Sequence, residues 1–76
     1  MAPVLPFSVF CDAQGRIVAV KVGELHRDEA DFILETMRSV ADARTTLPEA
    51  RGRIAVRLHE LAIARARGVV TGSPAP

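Results

Sequence analysis

Dithiol chemistry needs two thiols, and the chain carries a single cysteine, Cys11. A lone cysteine can neither close an internal disulfide nor cycle between dithiol and disulfide by itself. To act as a redox residue, Cys11 would need exposure and a basic neighbourhood. It stands instead in a β-forming run between Phe10 and Asp12, so a buried structural thiol is expected. Two histidines, His26 and His59, lie far apart, and neither has a carboxylate at catalytic spacing. His26 reads as a helix-start residue and His59 as a solvated helix residue. Neighbouring Glu60 points elsewhere on a helix. No metal-ligand spacing is present, and the five glycines are isolated, so there is no phosphate-cradling loop. No catalytic residue, metal or cofactor is assigned.

The charge is near balance, +1 overall, which argues against a general nucleic-acid binder. It is unevenly spread. Residues 1–44 hold five Lys/Arg against seven Asp/Glu, and residues 45–76 hold five Arg against two Glu. Arg51, Arg53, Arg57, Arg65 and Arg67 spread round a helix rather than stack, although Arg53 and Arg57 are neighbours. No aromatic residue interleaves them for base stacking. Arg53 and Arg57 are a candidate surface for an acidic partner. The plainer reading is a solvated helix face, some of whose arginines pair with Asp31, Glu35 and Asp42.

Elements that could position these groups follow from periodicity. Phe7 to Cys11 reads as a strand with Phe7, Val9 and Cys11 on one face and Ser8 and Phe10 on the other. Apolar groups on both sides predict that both faces are covered. Asp12-Ala13-Gln14-Gly15 is a turn. Arg16 to Val22 is the returning strand, with Val18, Val20 and Val22 on one face and Ile17, Ala19 and Lys21 on the other. A helix from about Arg27 to Ala43 follows, its first turn acidic. Its stripe is Ala30, Ile33, Leu34, Met37, Val40 and Ala41, with Phe32 off centre. Thr46 and Glu49 have capping-box spacing, and Pro48 fits a first turn. They open a second helix over about Leu47 to Arg67, with a stripe of Ala50, Ile54, Leu58, Leu61 and Ala62. Val56 and Ile63 lie opposite, and Gly68 is the stop. The expected class is α+β: an antiparallel β-hairpin followed by two α-helices. The divisions are 1–44, an arginine-rich helix at 45–68 and a flexible tail at 69–76. A hairpin buries little alone, so the second helix or a partner must cover the face the first helix leaves.

The string Leu5-Pro6-Phe7-Ser8-Val9-Phe10-Cys11-Asp12-Ala13-Gln14-Gly15-Arg16-Ile17, then Val22-Gly23-Glu24-Leu25 and an acidic helix start, resembles the C-terminal half of TlpA/ResA-type thioredoxin-like proteins. It covers about residues 4–41. The resemblance implies a partial thioredoxin-like fold and a parent activity of thiol–disulfide oxidoreduction. It also implies that Pro6 corresponds to the family's cis-proline, with Leu5 before it, where a substrate thiol is positioned. The plain alternative is a proline at the first residue of a strand, in the commoner trans state. The family's Cys-x-x-Cys half has no counterpart here, and Cys11 falls where the family has an apolar residue. The chain alone is therefore expected to be inactive.

Two functions follow as expectations. One is the active-site-lacking C-terminal portion of such an oxidoreductase. The other is a small non-catalytic protein-interaction module, expected as a homodimer because a chain of 76 residues gains support from a partner. A protein partner or homo-oligomer is expected in either case. The longest apolar runs fall well short of the roughly 20 residues of a membrane span. The N-terminus lacks a basic region and long apolar core. The chain as written is expected in the cytoplasm, or in the periplasm as part of a longer family member.

Overall fold

The computed structural model describes residues 5–68. The segment expected to be a flexible tail lies outside them. The order is β1 (Phe7–Cys11), β2 (Ile17–Val22), α1 (Arg27–Ala41) and α2 (Leu47–Ala66), an α+β arrangement of one antiparallel hairpin followed by two helices.

The hairpin turn is built by Asp12. Its Oδ1 accepts hydrogen bonds from the Gln14 and Arg16 N–H groups at 3.0 and 2.8 Å, and its Oδ2 accepts from Arg16 Nε at 2.7 Å. Gly15 closes the turn at φ +79°, a left-handed conformation that glycine adopts without a Cβ penalty. At the open end the Gly23 N–H donates to the Pro6 carbonyl at 2.8 Å.

Phe7 pairs with Val22, Val9 with Val20 and Phe10 with Ala19, but Cys11 pairs with Ile17, leaving Val18 as an extra residue in β2. A bulge of this kind twists the strand and re-aims a side chain. Here Val18 and its neighbour Ala19 are both buried. This corrects the simple alternation expected for β2, in which Val18 stays with Val20 and Val22.

The core is small: Val18, Ala19, Ile33, Leu47 and Ile54, with Phe10, Phe32, Met37 and Leu58 packed against it. The helices are antiparallel neighbours joined by a short loop. Arg65 near the end of α2 reaches Asp28 at the start of α1 at 2.9 Å. The buried line on α1 is Glu29, Ile33 and Thr36, so the helix is rotated from its expected stripe. Leu34 and Ala41 are exposed, and Phe32 joins the core. On α2, Ala50 and Ile54 are buried and Leu58 and Leu61 half-buried. Ala62, expected in that stripe, is exposed, and so are Val56 and Ile63 opposite it.

Helix α1 stops at Ala41, two residues before the expected Ala43. The Arg44 N–H donates to Ser39 O and the Ala43 N–H to Val40 O, the paired bonds of a Schellman motif. Ala43 takes its left-handed position at φ +58°. Helix α2 opens on the capping box: Glu49 N–H donates to Thr46 Oγ1 at 3.3 Å and Thr46 N–H to Glu49 Oε1 at 3.0 Å. The Thr46 N–H, first, and the Thr46 hydroxyl, which donates to the same Oε1 at 2.9 Å, hold the Glu49 carboxyl below its ordinary pKa.

The resulting body measures 42 × 35 × 16 Å, with a Cα radius of gyration of 14.0 Å. A compact chain of this length has a radius near 11 Å, so the molecule is a slab.

Candidate interaction surface

Cross-strand partners lie on the same face of a sheet. Phe10 and Ala19 therefore share the face turned to the helices, where Ala19 is buried and Phe10 packs on the core. Phe7, Val9, Val20 and Val22 share the opposite face, and all four are exposed, at 64, 45, 45 and 60 %. Leu5, just before β1, is 69 % exposed. The expectation that both faces are covered is thus corrected: α1 and α2 pack against each other and take one side together, and the other is left largely open, with only Val20 at its edge also lining a crevice with Arg51, Ile54 and Leu58 of α2.

Cys11 is exposed, which corrects the buried thiol expected from its strand position. It shares β1 parity with Phe7 and Val9, whose face lacks a cover, and it sits at the strand's end next to the turn. It also borders a groove between the turn and the C-terminal half of α1, lined in part by Val18, Leu34, Met37 and Arg38.

Leu5 and Pro6 are exposed, and the bond between them is trans. Pro6 stands just before β1, and the link from its carbonyl to Gly23 joins the hairpin's two ends. Cys11 and Pro6 stand at opposite ends of β1, so the chain's one thiol is not brought to its candidate substrate-positioning proline.

Arg53 and Arg57 are both exposed. Arg57 Nη1 reaches Glu60 Oε1 at 3.4 Å, and Arg53 lines a shallow crevice with Phe32, Glu35, Thr36 and Ser39. Pairing between the α2 arginines and Asp31, Glu35 or Asp42 is not what forms. Asp31 lies 3.8 Å from Arg27 and Asp42 lies 3.3 Å from Arg44, both on their own stretch of chain. Arg65 meets Asp28 instead. Arg51 Nε donates to the Ile17 carbonyl at 3.0 Å, fastening α2 to β2 beside the bulge.

Glu29 is the buried ionisable group that sequence reading missed as anything more than a first-turn acid. It is 1 % exposed. Its Oε2 accepts from Lys21 Nζ at 2.8 Å and its Oε1 from the His26 N–H at 2.9 Å. Burial pushes its carboxyl pKa up, but the bonds from Lys21 and His26 outweigh that and hold it below the ordinary value. Two signals were in the sequence: Glu29 stands three residues after His26, at the capping-box position, and Lys21 shares strand parity with Ala19. The Asp12 carboxyl is also held low, first by the Arg16 backbone N–H.

Among the described residues no three His, Cys, Asp or Glu side chains are grouped to hold a metal ion, and no helix is long and apolar enough to cross a membrane. Comparison of the chain with family models, curated proteins and solved structures returns no match. The functional reading therefore rests on the surface itself.

Proposed function

We propose that this chain works by docking rather than by catalysis, as the ββα portion of a TlpA/ResA-like thioredoxin-family protein whose dithiol is carried elsewhere. The observation that carries the reading is the uncovered apolar face of the hairpin, the form expected of a segment built to lie inside a larger sheet structure. The order of elements supports it too: a proline before β1, an Asp-x-x-Gly turn, β2, a glycine, then an acid-started helix. In this reading thiol–disulfide oxidoreduction belongs to the completed domain, in the periplasm. Leu5 and Pro6 lie where a substrate would pass, and the trans bond departs from the family's cis-proline. The test is the coding sequence upstream of Met1. An in-frame Cys-x-x-Cys segment is expected, and a stop codon close upstream, behind a good ribosome-binding site, would sink the reading.

A second reading is a small, non-catalytic interaction module in the cytoplasm. What favours it is α2, which lies outside the resemblance yet is integral to the fold. It supplies Leu47 and Ile54 to the core, caps itself at Thr46 and is tied to the rest by Arg51 and Arg65. In that reading the isolated chain folds, and a folded, cooperative melting transition is its check. A chain that stays unstructured under all conditions overturns it.

A further inference from the structure

We infer that the uncovered hairpin face is a self-association surface, on which a second copy of this chain packs face to face about a twofold axis. The inference rests on the interaction-module reading and names its partner.

Three observations single out a second copy. First, Phe7, Val9, Val20 and Val22 form two directly opposed cross-strand pairs, and none of the strand residues on their face is charged. A twofold interface apposes a patch to itself, so a charged patch meets like charge, whereas this one meets only apolar groups. Second, with Leu5 the exposed side chains leave roughly 500 Å² of apolar surface open, the size of the largest, often functional, patch on a monomer. A symmetric pair then buries at most about 1,000 Å², the lower bound for a specific interface. Third, the slab is only 16 Å in its short dimension against 42 and 35 Å. Stacking two copies across their sheets gives a thicker body with helices outside and two hairpins inside. Sheets packed this way sit about 10 Å apart with interdigitated side chains, which places Phe7 of each copy in the valine rows of the other.

The test is sedimentation velocity on the full chain across a concentration series. It is run in reductant and repeated with Cys11→Ser, so that no intermolecular disulfide contributes. Wild type and Cys11→Ser are expected to form dimers reversibly. Phe7→Glu and Val20→Lys, on the face, should each weaken association by roughly tenfold or more. Val56→Glu, at an exposed apolar position on α2, should leave it unchanged. Circular dichroism on each variant separates loss of association from loss of fold. Phe7→Glu and Val20→Lys act at already exposed sites on different strands, so one folded variant is enough. A folded wild-type monomer at every concentration overturns self-association and leaves the module reading with a foreign partner. A dimer indifferent to Phe7→Glu and Val20→Lys, or one lost in Cys11→Ser, overturns the assignment of the face. A chain unfolded throughout overturns this inference and the module reading together.

Discussion

Glu29 shows how much a single residue's chemistry depends on neighbours that sequence spacing only half reveals. Its role as acceptor for the His26 N–H follows from the three-residue step, and was legible. Its burial beside Lys21 was not, because that requires knowing that α1 folds back along β2 and how it is rotated. The consequence is a pH dependence. A carboxyl held below its ordinary pKa of 4.5 stabilises the fold fully above that value and loses its contribution as pH falls through the lowered, folded-state pKa. Thermal melts should therefore show stability level near neutrality and declining once the pH drops below about 4.5. Glu29→Gln should cost about 1–3 kcal/mol at pH 7, since it leaves Lys21 without its anion. The cost should shrink as the wild-type carboxyl protonates. Equal acid sensitivity of the two proteins would count against the pair. Cys11 makes the opposite point. Strand position suggested burial, but Cys11 closes β1 beside the turn, at the register shift, and is exposed there. In a variant kept monomeric by Phe7→Glu, a thiol reagent should modify it in the native state as fast as in denaturant. Protection in that folded monomer would contradict its placement.

At the scale of elements, the types and order of all four were readable, because alternation, the Asp12 turn and the Thr46–Glu49 box are local signals. Helix rotation and the last turn of α1 were not, because each is decided by tertiary contact or by a cap without a glycine. The expected stripe included Leu34 and Ala41, yet α1 lies on Glu29, Ile33 and Thr36. The bulge that brings Val18 inward also has no mark in the sequence: both β2 faces are apolar, so a change of register leaves a plausible pattern. The end of α1 gives a direct test. Ala43 holds a left-handed position that a Schellman motif usually gives to glycine, and a Cβ there is strained by roughly 1 kcal/mol. Ala43→Gly should therefore stabilise the chain by up to about 1 kcal/mol, the reverse of the usual alanine-to-glycine effect. Chemical denaturation of the two proteins checks it, and a loss of stability would mean that α1 continues past Ala41. Arg65→Ala should act the other way. Its ion pair with Asp28 is half-buried and ties the far end of α2 to the start of α1, so a loss of about 1 kcal/mol is expected.

At the scale of the molecule, the described residues include six buried apolar side chains, and an apolar sheet face is left open beside them. The sequence made the shortage of cover foreseeable, since a hairpin with apolar residues on both sides needs two layers. It could not say that both helices would go to the same side. That outcome follows from the short loop after α1, which makes α2 its antiparallel neighbour, and from the Arg51 and Arg65 links that hold α2 there. A single slab of this kind should depend on association for much of its stability, and a dimer that unfolds to two chains has a melting temperature that rises with concentration. Each tenfold increase adds about 1.4 kcal/mol per dimer. Spread over the unfolding entropy of two chains this size, that moves the midpoint by about 4 °C. Calorimetry at concentrations two decades apart should therefore separate the midpoints by about 8 °C. Phe7→Glu should lower the midpoint and reduce its dependence on concentration. A wild-type midpoint that does not move with concentration would place the fold's stability within one copy, and the open face would then have to be occupied by some other protein.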